Sequence, residues 1–168
     1  MTNIRKFKCL MCVDCCVFDN IADCPLVFYW EKELLESEAI KRNITLKFQP
    51  YLVVRDGESE FVYMYRWIIN GRCPFLKGSI CSIHANKPLS CRIFPLITDI
   101  EKSRIYISSR CRWILENRDY IIVENVAQQF DEFSIAVKTM AMLKEFLELA
   151  KEYGWEIILM GRNEATHI

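Results

Sequence analysis

The sequence predicts a small, compact α+β domain, in which irregular cysteine-rich loops sit against a β-hairpin and a long C-terminal helix. Three observations lead there. Nine cysteines crowd into two turn-rich stretches and their flanks. Two runs of β-branched and aromatic residues flank an Asp-Gly pair. One apolar stripe recurs at steps of three and four towards the C-terminus. A chain of 168 residues that is 52% hydrophobic buries a core of its own.

Taken in order, residues 1–25 form the first cysteine segment, whose tight spacing suits a loop better than a regular element. Residues 26–43 predict a helix with Pro25 at its first turn, where a missing N–H costs nothing; the opening LVFYW equally suits the start of a strand. Residues 44–54 and 61–69 predict a hairpin joined by a loop of several residues around Asp56-Gly57. Pro50 marks its first strand as an edge or as bulged, since proline cannot donate to a ladder. Residues 71–95, rich in Gly and Pro, hold the second cysteine segment. A strand at about 104–108 and a brief helix at 111–118 follow. A helix over 124–152 is predicted from one stripe of Val126, Phe130, Phe133, Val137, Met140, Leu143, Leu147 and Ala150. Gly154 ends it, and residues 155–160 suit a last strand. The division read from this pattern is a cysteine-cluster domain at 1–120 with a helical extension at 121–168.

Composition narrows the function. Twenty-two basic and 22 acidic residues leave no net formal charge, which removes the usual electrostatic case for nucleic acid or an anionic membrane. The apolar stretch near the C-terminus is broken by Lys138, Lys144, Glu145 and Glu148, so it does not read as a membrane span. No apolar run follows the basic residues at the start, so no signal peptide is read there. A cytoplasmic location is the expectation, and in that reducing compartment thiols stay free unless metal or catalysis claims them. An odd cysteine count in a chain with its own core also argues against a disulfide framework.

The strongest local signal is Cys9-x2-Cys12-x2-Cys15-Cys16. A CxxC turn aims two thiolates at one point, and its backbone N–H groups can donate to the sulfurs. Thiolate is the preferred donor for zinc and iron–sulfur centres. Cys15 and Cys16 are adjacent, so they are expected to point apart. The second segment supplies Cys73, Cys81 and Cys91, and Cys111 follows. With Cys24 read as a small buried hydrophobe, eight candidate metal ligands remain: Cys9, Cys12, Cys15, Cys16, Cys73, Cys81, Cys91 and Cys111. They suffice for two four-thiolate sites or for one cluster with spares, and spacing alone does not divide them. His84 reads as structural rather than ligating. Arg92 is a candidate donor to a sulfur or to an anionic substrate, beside its plainer reading as a structural arginine. The opening run is neither the C-x2-C-x2-C-x3-C-P of bacterial ferredoxins nor the CxxxCxxC of radical S-adenosylmethionine enzymes.

These residues resemble the CxxCxxCC cysteine-cluster family, the YkgJ-like zinc- or iron-chelating domains. There, CxxCxxCC is followed by G-x-C-P-F-L, then C-x-I-Y, then R-P-x-x-C-R-x-F-P. The chain matches at Cys9, Cys12, Cys15, Cys16, Gly71, Cys73, Pro74, Phe75, Leu76, Cys81, Ile83, Pro88, Cys91, Arg92, Phe94 and Pro95. It departs at His84, where Tyr is usual, and at Lys87, where Arg is usual. The likeness spans roughly residues 9–111. By that resemblance an iron–sulfur cluster, with 4Fe-4S favoured, comes ahead of zinc as cofactor. Electron transfer or support of methyl transfer is the implied task. The family also includes flagellin lysine-N-methylases, so S-adenosylmethionine enters by resemblance alone.

Two other readings stand beside this one. A structural zinc module would present the hairpin aromatics Phe61, Tyr63, Tyr65 and Trp67, or the C-terminal helix, to a protein partner. A lysine N-methyltransferase in its own right has less support, because five scattered glycines make no cofactor loop. Hydrolase readings fail for want of G-x-S-x-G or HExxH, with His84 and His167 the only histidines. Whether the chain is an enzyme, and which protein or small molecule it meets, is not specified by sequence.

Overall fold

A computed structural model describes residues 4–160 and the backbone at 166–167. The chain runs β1 (Val17–Phe18), β2 (Leu26–Phe28), α1 (Tyr29–Ile40), β3 (Lys47–Asp56), β4 (Ser59–Ile68), β5 (Gly71–Arg72), β6 (Leu76–Lys77) and β7 (Ile80–Cys81). It continues through α2 (Leu89–Arg92), β8 (Leu96–Asp99), β9 (Arg104–Ile107), α3 (Arg112–Glu116), α4 (Val126–Gln129), α5 (Phe133–Glu152), β10 (Glu156–Leu159) and β11 (Thr166–His167). The fold is therefore mixed helix and strand, as the sequence predicts.

The organising element is an antiparallel sheet in the order β11-β10-β3-β4-β2. The β3–β4 hairpin forms from its runs of β-branched and aromatic residues, but its turn is shorter than predicted. Only Gly57 and Glu58 lie between the strands, and Gly57 takes φ 57°, which glycine adopts without strain. The flanking polar residues belong to the strands, where Arg55 pairs with Glu60 and with Glu156. Pro50 marks a bulge rather than an edge: the register shifts between Pro50 and Val53, and β3 lies inside the sheet. The displaced Tyr51 carbonyl accepts the Met160 N–H at 2.7 Å, which helps dock the end of β10.

The predicted helix at 26–43 begins three residues later. Leu26–Phe28 pairs with β4, so Pro25 precedes a strand instead of opening a helix. The predicted helix at 124–152 is broken. Gln129, almost fully buried, accepts the Ile122 N–H and donates to the Tyr120 carbonyl through its side chain, while its own carbonyl accepts the Phe7 N–H. That knot stops α4, and Phe130 drops into a separate core with Phe7 and Trp113. Restarted, α5 buries Ala136, Thr139, Leu143 and Ala150, and leaves Val137 exposed. The chain reverses at Gly154 (φ 72°), where the Trp155 N–H donates to the Ala150 carbonyl. No described helix is long and apolar enough to cross a membrane.

Three cores result. One lies between the sheet and α5, where Tyr63 stacks on Phe146 at 3.6 Å. A second packs α1 and Trp67 against Phe75 and Ile83 of the second cysteine segment. The third gathers Ile93, Leu96, Trp113 and Phe130. The cysteine loops are suspended between the second and the third.

Candidate metal centre

The two cysteine segments meet through backbone pairing. β1 pairs antiparallel with β5, Val17 opposite Arg72 and Phe18 opposite Gly71. Just beyond, the Cys73 N–H donates to the Cys16 carbonyl at 2.8 Å. One ladder thus brings the opening motif and the second segment side by side, across 57 residues of sequence. Cys81 follows on β7, which pairs with β6, and Cys91 rides on α2. Cys111 stands immediately before α3.

The opening loop is shaped to turn. Met11 and Val13 lie in the left-handed region at φ 50° and 63°, a costly conformation for a β-branched residue. The Cys16 N–H closes the turn on the Val13 carbonyl. Within the first CxxC, the Met11 N–H donates to Cys9 Sγ at 3.5 Å. Asp14, between Cys12 and Cys15, receives two hydrogen bonds from Arg112 at 3.0 and 3.1 Å. Arg110 donates to the carbonyls of Asp14 and Val17 and pairs with Asp23. The two arginines that flank Cys111 therefore fasten the opening motif to α3. Sequence reasoning passed over Asp14, Arg110 and Arg112, although their places beside cysteines were the available signal.

All nine thiols are free of disulfides, and all nine line one cavity of about 640 Å³. Cys24 is occupied: its Sγ accepts the Ile69 N–H at 3.4 Å and its S–H donates to the Ile69 carbonyl at 3.3 Å, while the residue is 3% exposed. Cys15 and Cys16 place their sulfurs 3.7 Å apart and joined by a hydrogen bond, rather than diverging as predicted.

Thiol electrostatics report which sulfurs sense one another. The Cys15 thiol is pushed far up, first by its hydrogen bond to Cys16 and then by burial. Burial pushes Cys73 up to about 11, with the charges of Cys81 and Cys15 adding. Burial also raises Cys91, which feels Cys73, Cys15 and Cys81. Cys111 is raised by burial and feels Cys12 and Cys15. Cys15 is thus linked to Cys16, Cys73 and Cys91, Cys81 to Cys73 and Cys91, and Cys111 to Cys12 and Cys15. Burial, with the neighbouring thiol charges adding to it, favours protonated thiols in the protein alone; a bound cation reverses that preference. Among the described residues, no three His, Cys, Asp or Glu side chains converge closely enough to hold a metal ion. The sulfurs line the cavity without closing on a point, and the donor set itself, soft thiols with backbone N–H support, fits zinc or an iron–sulfur centre.

The remaining candidates resolve clearly. Arg92 donates to the carbonyls of Lys87 and Ala85 at 2.8 and 3.0 Å, so it braces the turn before Cys91. His84 is exposed on that turn and reaches the cavity rim. Glu31, overlooked in the sequence, is 7% exposed and accepts the N–H groups of Phe28 and Leu89 at 3.0 and 2.6 Å. It ties the start of α1 to the start of α2, two residues before Cys91. Of the hairpin aromatics, Tyr63 and Trp67 are core, while Phe61 is exposed.

A family model matches residues 8–130; the family is CxxCxxCC, described as "Putative zinc- or iron-chelating domain". The match reaches beyond the 9–111 span of the motifs into α4. No curated protein and no solved structure matches the chain.

Proposed function

The chain belongs to the CxxCxxCC family, and from that premise we propose that it is a metal-binding protein whose paired cysteine segments hold an iron–sulfur cluster. Cys15, Cys73, Cys81 and Cys91 are its main ligand set, and Cys9, Cys12, Cys16 and Cys111 the supporting or second set. The observation that carries this reading is the Cys73–Cys16 backbone bond, which joins both motifs beside one cavity. A bound cluster would supply one-electron transfer. In this reading residues 1–120 carry the centre and residues from 121 onwards brace it through α5 and β10.

The cavity's size favours a working centre over a buried structural one. About 640 Å³ is in the range of small-molecule sites, and its wall includes apolar side chains such as Leu10, Phe94 and Ile97 beside the thiols. A small-molecule partner is therefore favoured over a protein partner. Free thiols throughout suit a reducing cytoplasm. Methyl transfer from S-adenosylmethionine remains an alternative carried by the resemblance alone.

Anaerobic purification with iron, sulfide and zinc analysis and a visible absorption spectrum tests the reading. A brown protein with iron and acid-labile sulfide is expected. A colourless protein with stoichiometric zinc would overturn the cluster and keep the metal site, and a protein that takes up neither metal would overturn both.

A further inference from the structure

We propose that Lys87 is the counter-charge of the thiolate centre, placed to stabilise the bound form through space without ligating it. The inference rests on the metal reading above and deepens it. Four thiolates around a divalent ion leave a net dianion, and a partly buried anion needs a compensating charge close by. Four long basic side chains line the cavity: Arg66, Lys87, Lys102 and Arg110.

Three of these are engaged elsewhere or stand apart. Arg66 donates to the carbonyls of Ile21 and Ala22 and lies over the Tyr51 ring. Arg110 is spent on Val17, Asp23 and Phe18. Lys102 is exposed in the turn between β8 and β9.

Lys87 differs in each respect. It is half-buried, on the turn between Cys81 and Cys91. Among the described residues, no hydrogen bond or ion pair engages its ammonium group. Its backbone is fixed by Arg92, which holds the Lys87 and Ala85 carbonyls, and by the buried Pro88 that follows. It lines the same cavity as Cys15 and Cys91, on the turn four residues before Cys91. Its charge reaches Glu132, whose Oε2 is buried without a hydrogen-bond partner. Lys87 thus stands between the thiols and one carboxylate, bonded to neither. The Arg92 clamp uses only main-chain atoms at this position, so the turn does not depend on the lysine side chain.

The test is a competition titration of the full-length protein, reduced and metal-free, with zinc against a chromophoric chelator at fixed pH and salt. Lys87→Arg should bind within about threefold of the parent. Lys87→Met should bind more weakly, on the order of tenfold, for one charge lost near a partly buried anion. Lys87→Glu should lose more again, and Lys102→Met should change nothing. Thermal unfolding of each metal-free variant should match the parent and so exclude a folding defect. Equal affinity for the parent, Lys87→Met and Lys87→Glu would overturn the proposal, as would an equal loss in Lys102→Met. Failure of the parent itself to bind zinc or iron would instead bring down the metal reading.

Discussion

In the sheet half of the molecule, Leu52, Val54, Met64, Leu143 and Ile157 are closed from water between ten-residue strands and a twenty-residue helix. The cysteine half is built from two-residue strands, 3₁₀ turns and a four-residue helix around free thiols. The first region has the regular hydrogen bonds and apolar area that stabilise a fold by themselves. The second has loops, two left-handed non-glycine residues and mutually repelling sulfurs. The contrast teaches that one chain joins a regular, apolar scaffold to an irregular thiol-lined site, which the proposed metal would stabilise.

The largest effect should come from removing the metal. Structural zinc contributes about 10–16 kcal/mol of apparent binding energy in small zinc domains. Chelation of the loaded protein should therefore release hydrogen-exchange protection at residues 9–16 and 71–95, with β3 and β4 nearly unchanged. Equal loss in the sheet would break the distinction between the halves.

Next comes Leu143→Ala, which opens a cavity between α5 and the sheet. A loss of about 2–5 kcal/mol in chemical denaturation is expected, with the metal content of the folded protein unchanged. A fall in metal stoichiometry would show that the halves are not separable.

Glu31 is where the two regions are coupled, and its effect is smaller. Glu31→Ala strands the N–H groups of Phe28 and Leu89 and should cost about 1–3 kcal/mol. Burial raises the Glu31 carboxyl above its usual value, so the native state holds this proton more tightly than the unfolded chain. That contribution is complete below the ordinary glutamate pKa and is lost as pH rises through the raised one. Denaturation midpoints from acid to neutral pH should show this decline in the parent and a flatter profile in Glu31→Gln. Identical profiles would remove Glu31 as the titrating link.

The smallest effect belongs to Asp14→Asn. Its bonds to Arg112 are exposed, so a change of about 0–1 kcal/mol is expected. A loss well above that would mean the Asp14–Arg112 contact holds the opening motif more strongly than an exposed ion pair does.

Much of the scaffold was legible because its signals are local. The run of β-branched and aromatic residues over 61–69 marks a strand whatever the chain does elsewhere, and Gly154 ends a helix wherever that helix packs. The break at Phe130 was not legible: the stripe continues through it in sequence. What stops the helix is the buried side chain of Gln129 and the distant Phe7 N–H, a competition that no window around residue 130 contains. Leu26–Phe28 extends into a strand for a similar reason, since β4 is there to pair with it. In the site, the candidate thiols were legible by type and spacing, whereas Glu31 carries no spacing signal, and the motif position of Lys87 and the places of Arg110 and Arg112 beside Cys111 do not show what those side chains touch.

The sequence by itself determined the soft-donor chemistry and the turning loop of the opening motif, because a CxxC turn is governed by torsions within a few residues. Which sulfurs face one another, and which lysine stands beside them, was decided only by tertiary structure. The reason is that the register of β1 against β5 and the placement of α2 under Glu31 depend on contacts between segments tens of residues apart.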